Sequence, residues 1–169
     1  GFGSVQDTRN LRANYGLSDH HIANRFVISG LYELPFGKGR SYINSGLASH
    51  IFGGWALSGV LSMSDGLPFT LSLPFDNANV GTTNWPNRIR DGRLDNWTID
   101  RYFDTDAFVF PPEFTFGNAG RNILVGPGTN NLDFSLQRNF PIRINEGSRL
   151  EFRAEAFNAL NRPHFDVPG

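Results

Sequence analysis

Residues 132–160 read LDFSLQRNFPIRINEGSRLEFRAEAFNAL, and two runs within this stretch alternate apolar and polar side chains. The runs cover residues 132–140 and 149–160. A period of two residues is typical of a β-strand, because successive side chains of a strand point to opposite faces. The polar segment between the runs contains two residues that suit a tight reversal, Asn145 and Gly147. The sequence therefore predicts a β-hairpin with one apolar face.

A helix over residues 149–160 has to be weighed against this strand, because alanine and glutamate are good helix formers and are depleted from strands. The charged residues of the segment are spaced two apart and alternate in sign: Arg149, Glu151, Arg153 and Glu155. At that spacing they would point all around a helix but to one side of a strand. The charge pattern therefore favours the strand.

Two environments fit a ribbon that has one apolar and one polar face. In a soluble protein the apolar face packs into a core and the polar face meets water. In a membrane barrel the apolar face meets lipid and the polar face lines an aqueous lumen. The alternation by itself is compatible with both.

The composition of the 169-residue chain indicates an all-β fold. Its 19 glycines, 10 prolines and 14% aromatic residues, against only 18% charged residues, favour strands and turns over helices. A net charge of -1 gives no reason to expect a nucleic-acid partner. The lack of cysteine excludes disulfides, thiolate catalysis and cysteine-ligated metal.

Two earlier stretches repeat the alternation. Residues 22–34 predict a strand that Pro35 ends, because proline cannot donate a hydrogen bond to a sheet. Residues 55–63 alternate in the same way, and the same parity resumes at residues 67–73 beyond the dipeptide 65–66. One very long strand with a local kink, or two strands in register, would each explain this continuity.

In a membrane barrel, the shared apolar face of these strands would meet lipid and the opposite face the lumen. The residues predicted to face lipid are Phe26, Ile28, Tyr32, Trp55, Leu57, Leu61, Phe134, Phe140, Leu150 and Phe152. The residues predicted to face the lumen are Arg149, Glu151, Arg153 and Glu155.

The opening residues 1–21 and the connection 74–130 are predicted to be loops, because they are polar or rich in glycine and proline and show no sustained period. Aromatic faces and guanidinium groups of the long connection suit contact with a sugar or another ligand. The candidate ligand-contacting residues are Trp85, Arg88, Arg90, Trp97 and Tyr102, with Arg101 beside them. The alternative is that these side chains pack the loop on itself.

The lengths of the connections favour the membrane barrel. The links 36–51 and 141–148 fall at one end of the predicted meander, and the long connection 74–130 falls at the other. Outer-membrane barrels have this asymmetry, with short periplasmic turns and longer extracellular loops. The predicted fold is therefore all-β, an antiparallel meander forming part of a large transmembrane β-barrel with long extracellular loops.

The sequence also resembles a known family, the carboxyl-terminal barrel region of TonB-dependent outer-membrane transporters, in particular the Oar-like branch with carboxypeptidase-regulatory-like amino-terminal domains. The most specific motifs are FGNAGRN at residues 116–122, GPG at 126–128 and FRAEAFN at 152–158. Further matching segments are NRFVISG at 24–30, LPFGKGR at 34–40, GGW at 53–55, GLPFT at 66–70 and YFDTDAF at 102–108.

This resemblance implies a many-stranded barrel around a plug, in the outer membrane of a Gram-negative-type bacterium. Such transporters take up a scarce ligand, for example a metal chelate, an oligosaccharide or a peptide, with energy delivered through TonB. Residues 1–169 are expected to be one partial barrel domain, a fragment without the plug, the TonB-contacting box and the final strands. Four strands cannot close a barrel, since the smallest close at about eight.

Two other function classes were compared with the transporter. A soluble β-sandwich that binds carbohydrate through its tryptophan-rich loop would use the same apolar faces as a core. An enzyme is not expected, because the sequence has no nucleophile elbow, zinc-binding helix motif or glycine-rich nucleotide turn. No cofactor and no metal site are predicted.

Overall fold

The computed structural model describes residues 5–142 and 148–168. In chain order its regular elements are β1 (Arg25–Glu33), α1 (Gly46–Phe52), β2 (Trp55–Ser64), β3 (Pro68–Phe69), β4 (Asn87–Arg88), β5 (Phe108–Val109), β6 (Leu124–Val125), β7 (Thr129–Pro141) and β8 (Arg149–Ala156). Short 3₁₀ turns lie at Leu11–Asn14 and Thr105–Ala107. The prediction of an all-β, antiparallel fold is confirmed.

The described chain divides into two compact units. The first, called here the loop unit, comprises Gly1–Ala23, Asp65–Gly128 and Phe165–Gly169. The second, called the sheet unit, comprises Asn24–Ser64 and Thr129–His164. That residues 1–169 form one partial barrel domain stays a prediction.

The sheet unit contains a four-stranded antiparallel sheet in the order β1-β2-β7-β8. Its register aligns the apolar positions of neighbouring strands, so that Ile28 lies opposite Leu61 and Leu61 opposite Leu132. Residues that lie directly opposite in a sheet project to the same face. The register therefore places all ten residues predicted to face lipid on one face, and Arg149, Glu151, Arg153 and Glu155 on the other.

A single long strand through residues 67–73 is wrong, and the second strand that the sequence allowed there is only two residues long. β2 ends at Ser64, and the next two-residue strand, β3, pairs with β6 in the loop unit. At Gly66 the chain passes so close to the Gly126 carbonyl that a Cβ atom would collide with it. The alternation continues past this turn because Phe69 and Leu73 are buried in the core of the loop unit.

The last strand is confirmed as a strand but is shorter than predicted. β8 ends at Ala156, and Asn158 and Asn161 follow with φ values of 47° each, which an extended strand does not allow. The helix alternative for this segment is therefore wrong. Most of the predicted reversal, residues 143–147 with Asn145 and Gly147, lies outside the described residues.

The loop unit has a core of its own, although sequence predicted only irregular loops in residues 1–21 and 74–130. Its buried apolar residues are Phe69, Leu73, Trp85, Ala107, Ala119 and Leu124. Gln6 is also buried; its Nε2 donates to the Gly117 carbonyl at 3.0 Å, and its Oε1 accepts from the Trp85 amide at 2.6 Å. A segment near the start of the chain thereby joins two others far along it.

The motif FGNAGRN contributes three buried residues to the loop unit, Gly117, Ala119 and Asn122. A Cβ on Gly117 would collide with the carbonyl oxygens of Trp85 and Pro86, so only glycine fits there. Two positions on, the Ala119 amide donates to the Pro86 carbonyl at 3.1 Å. Asn122 donates through Nδ2 to the Leu17 carbonyl at 2.7 Å. The motif that carries the family resemblance is thus a packing element.

Replacing Gly117 with alanine is expected to destabilise the loop unit. The added methyl group would collide with fixed backbone, and such overpacking costs roughly 1–3 kcal/mol of unfolding free energy. Gly30→Ala is the matched control, because nothing lies within 4 Å of a Cβ there. Denaturant unfolding of the full chain measures both variants; equal stabilities would contradict the packing described for Gly117.

Candidate functional site

The apolar face of the sheet is a candidate functional surface. It includes the ten residues Phe26, Ile28, Tyr32, Trp55, Leu57, Leu61, Phe134, Phe140, Leu150 and Phe152. Seven of these side chains, all except Trp55, Leu61 and Phe140, are between 40% and 59% exposed in the described chain. Isolated apolar residues are common on soluble surfaces, but a contiguous patch of this kind marks an interaction surface. That lipid covers it stays a prediction at this point.

The opposite face of the sheet is mostly polar and internally hydrogen-bonded, although Val27, Leu31 and Val60 also lie on it. The hydroxyl groups of Ser58 and Ser135 lie 2.8 Å apart on neighbouring strands. Arg153 and Glu155 form an ion pair at 2.9 Å along β8. On β7, Asp133 Oδ1 accepts from the Asn158 amide at 2.9 Å. These groups satisfy each other or point into solvent, as expected for a face that meets water.

One end of the apolar face carries an aromatic cluster around an arginine. The Trp55 and Phe152 rings meet edge to face with centroids 5.6 Å apart. The Arg138 guanidinium lies 4.3 Å from the Phe140 ring centroid and 5.6 Å from that of Trp55. Such cation–π contacts favour a guanidinium close to an apolar surface. Sequence reasoning missed Arg138, although its even position in the alternation of residues 132–140 assigned it to the apolar face.

The predicted ligand-contacting residues of the long loop do not form one surface. Trp85 is only 3% exposed and belongs to the core of the loop unit, so it cannot present its ring to a ligand. Arg88 pairs with Asp91 at 2.9 Å. Trp97 and Tyr102 do meet, with ring centroids 4.9 Å apart. Trp85 therefore has a packing role, whereas the rings of Trp97 and Tyr102 form an accessible pair.

Two arginines of the loop share one carboxylate. Asp104 accepts from Arg90 at 2.8 Å and from Arg101 at 3.0 Å. The hydrogen bond from Arg90, followed by that from Arg101, holds the pKa of the Asp104 carboxyl below its usual value despite the opposing effect of desolvation. The sequence analysis did not predict this shared carboxylate. The partner arginines are 14 and 3 residues away.

The Trp97–Tyr102 pair borders two open clefts of the loop unit. The clefts measure about 470 Å³ and 430 Å³, and Phe103 lines both together with the pair. The Tyr102 hydroxyl donates to the Val125 carbonyl at 2.9 Å, and burial raises the pKa of this phenol. The ring of Tyr102 is therefore held in place under the more exposed ring of Trp97.

No group of three or more histidine, aspartate or glutamate side chains gathers closely enough to hold a metal ion within residues 5–142 and 148–168. In the same described residues, no helix combines the length and apolarity that crossing a membrane requires. The site geometry therefore consists of an apolar sheet face, a polar sheet face and a loop cluster of rings and arginines.

An antiparallel sheet whose apolar face remains exposed is the arrangement expected for the wall of a membrane β-barrel. The family model described as "Outer membrane beta barrel domain" matches residues 1–169. The chain therefore belongs to the outer membrane beta barrel domain family. Its location is the outer membrane, and its apolar partner is the lipid of that membrane. No curated protein and no solved structure matches the chain.

The Asp104 carboxyl is expected to titrate below 3.8, its ordinary value. Because its folded pKa is lowered, the arginine contacts stabilise the loop unit above that ordinary value, and this contribution is lost as the pH falls through the lowered pKa. A carboxyl-carbon NMR titration of Asp104 measures the midpoint. Arg90→Gln should move the midpoint upward, whereas Arg93→Gln, which removes no partner of Asp104, should leave it unchanged. A wild-type midpoint at or above 3.8 would refute this cluster.

Proposed function

We propose that this chain forms part of the wall of a TonB-dependent outer-membrane transporter of the Oar-like type, in a Gram-negative-type bacterium. In this proposal the apolar face meets lipid, the polar face meets the lumen, and the loop unit contributes to the ligand-facing side. The transporter takes up a scarce ligand with energy delivered through TonB, and the chain itself performs no catalysis. The family resemblance of the motifs at residues 116–122 and 152–158 supports the transporter class.

The observation that carries the proposal is the two-faced register of the sheet. Ten apolar side chains from four strands fall on one face, and the charged residues of β8 fall on the other without exception. A lipid-facing barrel wall requires this separation, because charge on the lipid face is costly near the bilayer midplane. The exposure of the apolar side chains is consistent with hydrocarbon as their natural environment.

The open edges of the sheet favour a larger barrel. β1 and β8 are the outer strands, and each has one neighbour in the described sheet. An unpaired strand edge in lipid leaves backbone N–H and C=O groups without partners, which costs several kcal/mol for each group. Further barrel strands paired to both edges would remove this cost.

The direction of the strands supports the assignment of sides. The long segment between β2 and β7 leaves the sheet at Ser64 and returns at Thr129, directly opposite it. The two shorter links, between β1 and β2 and between β7 and β8, lie at the other end of the strands. By the usual asymmetry of outer-membrane barrels, the loop unit is extracellular and the short links are periplasmic.

The Trp97–Tyr102 pair supports a ligand-contacting role for the loop unit. Its rings border the two clefts, and Arg101 lies in the lining of the second. Aromatic faces and guanidinium groups bind sugars, peptides and anionic chelates by stacking and by charge-assisted hydrogen bonds. Arg88 and Arg90 position this loop through Asp91 and Asp104.

The alternative of a soluble β-sandwich carbohydrate-binding module has less support. A sandwich buries the apolar face of one sheet against a second sheet. In the described chain, Ile28 and Phe134 in the middle of the face remain 54% and 42% exposed. The remaining sheets of the described chain are pairs of two-residue strands.

Charge placed on the apolar face should impair membrane assembly. Ile28→Lys and Ser29→Lys are a matched pair, because these neighbours in the middle of β1 are both exposed and point to opposite faces. Ser135 is a poorer control, because it is buried and bonded to Ser58. Ile28→Lys should destabilise the folded protein in lipid by roughly 2–4 kcal/mol, and Ser29→Lys much less. Equal effects, measured by refolding into liposomes, would contradict the assignment of faces.

TonB dependence is tested in the host by uptake of radiolabelled iron chelates, oligosaccharides and peptides. We expect the uptake of one of these ligands to be lost when the gene for this protein is deleted. Deletion of TonB should abolish uptake of the same ligand to the same extent. If uptake requires this gene but continues after deletion of TonB, the assignment to a barrel stands and the TonB-energised mechanism is contradicted. Trp97→Ala should weaken uptake of the same ligand, whereas Ile89→Ala, at an exposed loop position that lines neither cleft, should not.

A further inference from the structure

The short link between β1 and β2 is a structured element. Its helix α1 lies immediately before the two glycines that lead into β2. A Cβ on Gly53 would stand 2.7 Å from the Cα of Gly37, so the two ends of the link pack backbone to backbone. The Tyr42 amide donates to the Pro35 carbonyl at 3.0 Å and closes the first part of the link. The link is therefore a compact platform for α1.

Residues of the apolar face hold the carboxyl-terminal end of α1. The Trp55 indole Nε1 donates to the Ile51 carbonyl at 3.0 Å. The Arg138 guanidinium donates to the carbonyls of His50 and Ile51. The last carbonyls of a helix have no partner within the helix, and a positive charge there is favourable. α1 is thus fastened to the aromatic end of the apolar face.

α1 exposes two large aliphatic side chains, with the exposed His50 next to one of them. Leu47 and Ile51 are one helical turn apart and are 83% and 60% exposed. Ser49 is buried, and its hydroxyl donates to the Gly46 carbonyl at 2.8 Å. Two large aliphatic side chains in this arrangement form an apolar surface beside Trp55, on the same end of the sheet as the aromatic cluster.

The chemistry of this end matches the boundary between lipid headgroups and acyl chains. Tryptophan is enriched at that depth, because its ring is apolar and its N–H is polar. Arginine reaches from apolar surface to a polar boundary, as Arg138 does between the Phe140 ring and the helix carbonyls. Amphipathic helices lie in the same plane, with their apolar side toward the acyl chains.

We propose that α1 is an interfacial anchor that inserts Leu47 and Ile51 into the phospholipid leaflet at the short-link end of the sheet. Arg138 is a positioning residue that holds α1 at this depth. The occupant of the surface is the bilayer itself, because the surface is continuous with the apolar face that the proposed function assigns to lipid. The inference rests on the proposed lipid contact of that face.

Spin labels measure the depth directly, and the lack of native cysteine allows single labels without background. The full chain is reconstituted in vesicles of phosphatidylethanolamine and phosphatidylglycerol after Leu47→Cys or Ile51→Cys. Collision with oxygen, which enriches in lipid, is compared with collision with a nickel chelate, which stays in water. Ile28→Cys is the lipid reference, Glu151→Cys the water reference, and Lys38→Cys the control in the same link.

The labels at positions 47 and 51 should show an oxygen-to-nickel ratio between the two references and above that of position 38. Arg138→Lys, which keeps the charge but loses the guanidinium fork, should shift the ratio at position 47 toward water. Arg153→Lys on the polar face should not.

Suppose that the label at position 28 gives the ratio of lipid. If the label at position 47 then gives the ratio of water, or is shielded by protein from both reagents, the anchor is overturned and the proposed function stands. If position 28 reads water, the proposed function falls with it. Should Arg138→Lys fail to assemble, the ratios of the single labels decide.

Discussion

The structure of the sheet unit depends on one constraint, the register of β1, β2, β7 and β8. Because side chains alternate with a period of two, a slip of one residue in any pair would exchange the two faces of that strand. A slip of β8 against β7 that placed Glu155 opposite Phe134, for example, would also place Arg153 opposite Leu136. Charged side chains would then lie in hydrocarbon, which is costly. The location of the sheet in a membrane therefore favours the observed register.

The polar groups of the protein follow the same separation. On the sheet, serine, aspartate and the ion pair of β8 are confined to the face opposite the apolar one. Arg138 is a charged residue on the apolar face, and its charge is met by two aromatic rings and two helix carbonyls. In the loop unit, Asn122 and Gln6 are buried but hydrogen-bonded, so a small core of mixed polarity is satisfied.

The sequence predicted the structure well where residues close together along the chain determine it. Alternation alone identified the apolar face, and the spacing of Arg149 to Glu155 correctly decided strand over helix in β8. It failed where distant contacts decide. Gln6 is buried by partners 79 and 111 residues away. Trp85 is buried in a core that no local sequence pattern predicts. The end of β2 at Ser64 was missed because burial of Phe69 in another unit preserves the same parity.

The central claim is that one face of this sheet lies in hydrocarbon and the other in water. Solid-state NMR of the protein in lipid bilayers tests it most directly, by transferring magnetisation from acyl-chain protons or from water protons to assigned side chains. We predict that the methyl groups of Ile28 and Leu61 receive magnetisation from acyl chains, and that Ser29 and Ser62 receive it from water. Transfer from water to both faces, or transfer to Ile28 and Leu61 from protein protons alone, would contradict the account.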